Sequence, residues 1–192
     1  MHVGPNGKKM EIHKNLLASI SPELNKHVNN DMREGIEGII HLPDEEEEAL
    51  TLFTEWAYTG DYAHKNVTLE SPLEPVDPWS SLHKHLQLCV LADKFNIPIL
   101  KELAESKFHS EINPIEPSSD RDATGLVTVI GYAYDNLPES HPILKYLAKY
   151  ASWKLNLLRA TTEFNKLLLT QPTFLRKFLL YLGGLSAKPE TL

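Results

Sequence analysis

The sequence has few cysteines and no long apolar runs. Its 192 residues include one cysteine, Cys89, so an internal disulfide cannot form, which is typical of a reducing compartment. No apolar run approaches the roughly 18 residues of a membrane-spanning helix, and the first residues lack the apolar stretch of a signal peptide. We therefore expect a protein of the cytoplasm or the nucleus that has no membrane partner.

Positive charge is also scarce. The 19 lysines and arginines are outnumbered by 26 aspartates and glutamates, which gives a net charge of -7. Domains that bind nucleic acids cluster lysine and arginine, so this balance argues against DNA or RNA as a partner. The hydrophobic fraction of 42% is ordinary for a globular protein, and the chain is long enough to bury a core.

Catalytic and metal-binding patterns are missing as well. The segment Gly4-Pro5-Asn6-Gly7-Lys8-Lys9 has glycines and lysine, but its spacing is not that of a phosphate-binding loop and no Ser or Thr follows Lys8. His85 and Cys89 share a helical face, whereas His83 does not, and no second cysteine completes a zinc site. We therefore predict no enzyme activity, no cofactor and no metal.

Local signals divide the first sixty residues into short elements. Asn6-Gly7 predicts a hairpin, because both residue types tolerate positive φ in a tight turn. Ser21-Pro22 predicts a helix start, with Ser21 as the N-cap and Pro22 in the first turn. A strand is predicted over residues 38–42, and the spacing of Asp44 and Glu47 predicts a capping box at the next helix.

The middle of the chain combines a linker-like segment with the most apolar helix. Residues 61–81 contain three prolines and are long for a connection inside a domain, which favours a functional or disordered loop. Residues 82–96 are apolar nearly all round, which predicts a central helix that buries Leu88, Leu91, Ala92 and Phe95.

The remainder is predicted to be helical. Helices are expected over residues 99–112, 122–136, 142–157 and 162–182, the last interrupted at Pro172. Residues 113–121, with two prolines, separate the last three helices from the rest. We therefore predict a domain over residues 1–112 and a helical C-terminal extension over residues 113–192.

Several of these segments together resemble the BTB/POZ family. The matching motifs are His13-Lys14-x-x-Leu17 followed by Ser21, then Leu42-Pro43-Asp44, Tyr58-Thr59-Gly60 and Leu91-Ala92-Asp93-Lys94-Phe95. The resemblance covers residues 3–112, and Trp56 and the character of residues 127–155 look like the fungal members that carry a helical tail. It implies an α+β fold class, in which a small β-sheet is flanked by a helical cluster.

The resemblance also implies a function. BTB proteins bind other proteins, so we expect a non-enzymatic protein–protein interaction domain. The leading hypothesis is a substrate adaptor for a cullin-based ubiquitin ligase. The alternative is a transcriptional or scaffolding oligomerisation module. Many members use the first strand and an N-terminal helix for dimerisation, and in the resemblance Met1 falls inside that region. A monomer or a weak homodimer is therefore expected.

The partner-binding surface is predicted at the loop over residues 61–81 and at the start of the helix that follows. Trp79 is a residue type enriched at binding hot spots, and the resemblance places the cullin contact of the adaptor class beside this helix. The predicted binding residues are Leu73, Val76, Trp79, Leu82 and His85. The alternative is an insertion in which Trp79 folds back onto the domain, and the sequence favours neither.

Overall fold

The computed structural model describes residues 1–3, 7–29, 36, 38–62, 77–182 and 188–190. About 70% of the described residues are helical. The helices are α1 (Lys14–Ile20), α2 (Pro22–Val28), α3 (Glu47–Thr59), α4 (Pro78–Lys94), α5 (Pro98–Ile112), α6 (Asp120–Asn136), α7 (Pro142–Trp153), α8 (Leu155–Leu158), α9 (Thr162–Thr170) and α10 (Pro172–Tyr181). The strands are β1 (His2–Val3), β2 (Lys8–Lys9) and β3 (His41–Leu42).

The predicted α+β fold class is wrong, because the described part of the chain is mostly helical. Each described strand has two residues; β1 pairs antiparallel with β2 and parallel with β3. Strands this short provide few ladder hydrogen bonds and no face on which a layer of side chains could pack. Most of the buried apolar side chains therefore lie on helices. The predicted hairpin pairing is confirmed, with His2 opposite Lys9 and Gly7 at φ 63°, while Asn6 of the predicted turn lies outside the described residues.

The chain divides into two compact units. One consists of Met1–Val76 with Gln87–Ala104, and the other of Asp77–Leu86 with Glu105–Leu192. Both α4 and α5 therefore contribute one part to each unit. The predicted single boundary between residues 112 and 113 stays a prediction.

In the first unit, Ser21 joins two segments that lie far apart in the sequence. Its hydroxyl oxygen accepts hydrogen bonds from the backbone N–H groups of Glu23 and Leu24, both at 3.1 Å, and so caps α2 as predicted. The same hydroxyl donates to the backbone carbonyl of Phe95, the residue that follows α4. Because Ser21 is buried, this bond satisfies a carbonyl that water does not reach.

Two further predictions for the first unit have opposite outcomes. The burial of Leu88, Leu91 and Ala92 on α4 and of Phe95 directly after it is confirmed, since none of the four is more than 4% exposed. The predicted capping box of Asp44 and Glu47 is wrong. The N-cap of α3 is Glu46, whose side chain makes no capping hydrogen bond, and Glu47 and Glu48 lie in the first turn, where negative charge suits the helix dipole.

The second unit is built from helices that pack on one another. The long α6 packs against α7 and α9, and α7 packs against α10. Between them the rings of Phe164, Phe174 and Phe178 lie 5.6–6.2 Å apart, and Tyr134 of α6 meets Phe174 edge to face at 5.2 Å. The predicted break at Pro172 is confirmed, because α9 ends at Thr170 and α10 begins at Pro172.

The start of α4 is fixed to α6 by a close approach of Trp79 to Gly125. A Cβ atom added to Gly125 would lie 2.7 Å from the Cβ of Trp79 and still closer to its Cγ and Cδ1. No side chain larger than hydrogen fits there unless the indole moves. Gly131, two turns further along α6, differs in this respect, because the nearest atom to an added Cβ would be Leu167 Cδ1 at 3.7 Å.

This difference predicts opposite effects for the same substitution at two sites of one helix. Gly125→Ala should destabilise the protein by about 1–3 kcal/mol, because the added methyl group overpacks against a buried ring. Gly131→Ala should stabilise it by up to about 1 kcal/mol, because alanine loses less backbone entropy in a helix than glycine and the site has room. Denaturant unfolding followed by circular dichroism measures both. Equal stabilities for the two variants would contradict the described packing.

Candidate partner-binding surface

The structure places Trp79 in the first turn of α4 and buries it, with 3% of the residue exposed. Its backbone N–H donates to Asp77 Oδ1 and its indole N–H donates to Asp122 Oδ1, both at 3.1 Å. The helix begins at Pro78, earlier than the predicted start at Leu82. The pair Asp77-Pro78 is a helix-start signal that the proline-rich composition of the segment obscured.

Leu82 and His85 lie on the same side of α4 as Trp79, at spacings of three residues, and both are buried. The Nε2 atom of His85 lies 3.0 Å from Glu111 Oε1, and the Ser81 hydroxyl donates to the other oxygen of that carboxylate. The structure thus brings Trp79, Leu82 and His85 together inside the second unit.

The other two predicted binding residues, Leu73 and Val76, lie outside the described residues. The loop of residues 61–81 therefore stays a prediction as a partner-binding segment. The buried side chains of α4 supply packing in the second unit, so the surface that could receive a partner must be sought among exposed side chains.

Asp122 connects Trp79 to the N-terminus of α6. Its Oδ2 accepts hydrogen bonds from the Ser119 hydroxyl at 2.7 Å and from the backbone N–H groups of Ser118 and Ser119 at 3.0 and 2.9 Å. Burial would raise the pKa of Asp122, but these bonds and the Trp79 indole outweigh it and hold the pKa well below its usual range. Ser119 in return caps the helix by accepting from the Asp122 N–H, which completes a capping box.

This arrangement predicts a pH-dependent loss of stability. A carboxyl whose pKa is lowered by folding stabilises the protein fully above the ordinary aspartate value of about 3.9, and this contribution disappears as the pH falls below that value. Asp122→Asn should therefore lower the free energy of unfolding by about 1 kcal/mol at pH 7. The difference in unfolding free energy between variant and wild type should shrink from about pH 4 downwards, because about 3.9 is the ordinary pKa of an aspartate. Urea unfolding across this pH range measures it.

The exposed Asp120, in the same helical turn, provides the control. Asp120→Asn should change stability by less than about 0.5 kcal/mol, because its site is open to solvent. A difference between wild type and Asp122→Asn that stays constant down to pH 2 would show that the Asp122 carboxylate has no special stabilisation in the folded state.

The exposed apolar side chains of the second unit concentrate at the end of α10. Leu179, Leu180 and Leu182 are 54, 74 and 39% exposed, and we call these three residues the leucine surface. Leu169, at the end of α9, is 86% exposed but lies at the opposite end of the α9–α10 pair, since α10 begins two residues after α9 ends. Isolated exposed leucines are common, whereas contiguous exposed apolar residues are typical of interaction sites.

The amphipathic pattern of α10 explains why the leucines point outward. Phe174 and Phe178 are spaced by four residues and bury one face of the helix in the aromatic core. Leu179 and Leu180 follow Phe178 directly, so they fall beyond the buried stripe. The N–H of Leu182 donates to the carbonyl of Leu179 at 3.4 Å, which keeps the three leucines in one turn.

Polar contacts on the other sides of α10 hold it in place. The Ser152 hydroxyl of α7 donates to the backbone carbonyl of Tyr181 at 2.8 Å, and Lys149 lies 5.6 Å from the centre of the Tyr181 ring. Arg176 forms an ion pair with Glu139, and Lys177 donates to the Glu139 carbonyl. The leucine surface is therefore presented on an anchored helix.

Sequence reasoning did not identify the leucine surface. The pairs Leu168-Leu169 and Leu179-Leu180 put apolar residues on adjacent faces of a helix, and periodicity alone does not decide which face is buried. The spacing of Phe174 and Phe178 was the signal that could have identified the buried face. Two phenylalanines four residues apart lie on one face of a helix, and that face gains most from the burial of apolar area.

In the part of the chain that the structure describes, no helix combines the length and the apolar character needed to cross a membrane. No protein-family model matches the chain, and no curated protein is significantly similar to it.

Proposed function

We propose that the protein is a non-enzymatic interaction module of the cytoplasm or nucleus, which recruits another protein through the leucine surface of α10. The observation that carries this proposal is the exposure of three large apolar residues within four positions, Leu179, Leu180 and Leu182, at the end of a helix whose last carbonyl is bonded by Ser152. Covering such a surface releases water from apolar groups, which is the main source of affinity in protein association.

The identity of the leading partner class comes from the motif resemblance to BTB proteins. Contacts within the first unit support treating these motifs as one set, because they join segments that are distant in sequence. The backbone N–H of His13 donates to the Tyr58 hydroxyl at 3.0 Å, and Ser21 bonds to the carbonyl of Phe95. In the adaptor form of the proposal, the motif-bearing unit holds a cullin and the leucine surface holds the substrate.

The alternative is a scaffolding or transcriptional module that oligomerises. An exposed leucine surface also suits self-association, in which the occupant is the same surface of a second copy. The two forms differ in one observable: self-association changes the molar mass of the purified protein, whereas adaptor function requires a different protein. We favour the adaptor form, because the motifs resemble those of BTB proteins, some of which serve as cullin adaptors.

Substitution of the leucine surface tests the proposal. The double variant Leu179→Asp with Leu180→Asp should weaken binding of a captured and purified partner by at least about tenfold, because charges in the interface core are strongly disfavoured. Binding is measured by isothermal calorimetry after affinity capture and mass spectrometry have identified the partner. Stability should change by less than about 0.5 kcal/mol, since both side chains are exposed.

Leu169→Asp is the control, because it makes the same type of substitution at a more exposed leucine away from the leucine surface. It should bind the partner like the wild type. Light scattering decides between the two forms of the proposal: a wild-type dimer that the double variant dissociates supports the oligomerisation module. Unchanged partner affinity and unchanged molar mass in the double variant would refute both.

A further inference from the structure

The chain places a lysine of its own C-terminal segment in an aromatic site of the second unit. Residues 188–190 are described, and within them Pro189 is buried and Lys188 is largely covered, with 19% of its side chain exposed. We call the groups that surround the Lys188 ammonium the lysine site. It consists of the backbone carbonyls of Asn113 and Ile115, the carboxylate of Glu116 and the rings of Tyr150 and Trp153.

Three acceptor groups face the ammonium. Lys188 Nζ donates to the carbonyl of Ile115 at 2.7 Å and to the carbonyl of Asn113, and it lies 3.5 Å from Glu116 Oε1. The Asn113 carbonyl directly follows the end of α5, where the helix dipole presents its negative end, and Ile115 lies two residues further on. A primary ammonium has three N–H donors, so three acceptors match its hydrogen-bonding capacity.

Two rings complete the lysine site. The Nζ atom lies 5.4 Å from the ring centre of Trp153 and 5.8 Å from that of Tyr150, within the range of cation–π attraction. The rings contact each other edge to face at 5.3 Å, and the Tyr150 hydroxyl donates to the carbonyl of Ile115 at 2.9 Å. Burial, followed by the nearby Tyr146, raises the pKa of Tyr150, so its hydroxyl keeps the proton that it donates.

A second lysine, Lys154, lies beside the same carboxylate and the same indole ring. Lys154 Nζ lies 3.9 Å from the ring centre of Trp153 and 3.5 Å from Glu116 Oε2. The carboxylate therefore lies between two ammonium groups whose charges repel each other. Without Glu116 the Lys154 charge would oppose any cation that enters the lysine site.

The simplest explanation for Lys188 is that it caps the C-terminus of α5. A cap requires only carbonyl acceptors, however, and the lysine site also provides rings and a carboxylate. Contacts that do not involve Lys188 position the two rings: the Tyr150 hydroxyl bonds to Ile115, and Trp153 contacts both Tyr150 and Lys154. Glu116 pairs with Lys154, but its side chain is 66% exposed. The aromatic part of the site is therefore organised without the C-terminal segment, and preorganisation is what a binding site needs for affinity.

We propose that the lysine site binds an unmodified lysine followed by proline in a segment of another protein, and that the chain's own Lys188 and Pro189 compete for it. This inference goes beyond the proposed function, because it does not depend on the leucine surface. The three acceptors favour a primary ammonium over a trimethylated lysine, which has no N–H to donate.

The competing segment is tethered close to the site. Five residues, 183–187, connect Leu182 to Lys188, and two of them are glycines. A short tether gives an effective concentration in the millimolar range, so an external peptide of modest affinity does not displace the segment. The wild-type lysine site is accordingly closed, and removal of the Lys188 charge opens it.

A peptide-binding experiment with the full chain tests this. The probe is a fluorescent peptide with the sequence of residues 183–192, measured by fluorescence anisotropy against wild type, Lys188→Gln and Lys145→Gln. Lys188→Gln should bind the peptide at least about tenfold more tightly than the wild type, because the competitor is lost. Lys145, an exposed lysine of α7, provides the control, and its variant should behave as the wild type does.

Two changes then test the chemistry of recognition. A peptide with trimethyllysine at the position of Lys188, and addition of Glu116→Gln to the Lys188→Gln protein, should each weaken binding at least about fivefold, since each removes an interaction with the ammonium. Equal binding of the trimethyllysine peptide would overturn the assignment to a primary ammonium. Absence of binding to folded Lys188→Gln at millimolar peptide would show that Lys188 is a helix cap only.

A second measurement applies if Lys188→Gln does not fold. Wild-type protein is titrated with the same peptide to about 50 mM, well above the millimolar effective concentration of the tethered segment, so that the peptide displaces it. The indole N–H resonance of Trp153 is followed by NMR, with Trp153→Phe used to assign it. A saturable shift produced by the lysine peptide, and not by a peptide with alanine in its place, supports the proposal. Identical spectra with both peptides overturn it.

Discussion

The second unit depends on the contact between Trp79 and Gly125. A large ring can lie against a helix backbone only where the helix offers no side chain, and Gly125 provides this position on α6. The indole N–H then reaches Asp122 one turn earlier, so a buried polar group is satisfied and the capping box of α6 is linked to α4. One residue thereby couples the start of α4 to the helix on which α7 and α9 pack.

In the second unit, the residues that pack around Trp79 differ from those of the two surfaces for which we propose binding. Trp79, Leu82 and His85 are buried, whereas Leu179, Leu180 and Leu182 at the end of α10 are exposed. The lysine site lies at a third place, where the end of α5 meets Tyr150 and Trp153. Both surfaces belong to our proposals, and each can be substituted without touching the contact between Trp79 and Gly125.

The sequence predicted those features that local chemistry determines. Ser21 caps α2 and Pro172 breaks a helix because each effect acts within one turn. The α+β fold class came from the motif resemblance, and it is wrong because two-residue strands add almost nothing to a mostly helical chain. The position of Trp79 was not predictable from its neighbours, since its burial requires Gly125, a residue 46 positions away, and a glycine gives no signal of what lies against it.

A double-mutant cycle between Trp79 and Gly125 tests the central claim most directly. Trp79→Ala should cost about 3–5 kcal/mol, as expected for a buried tryptophan. If the indole is what Gly125 accommodates, Gly125→Ala should cost much less in the Trp79→Ala protein than in the wild type, with a coupling free energy above about 1 kcal/mol. Additive effects of the two substitutions would contradict the account, because they would mean that the ring and the glycine do not contact each other.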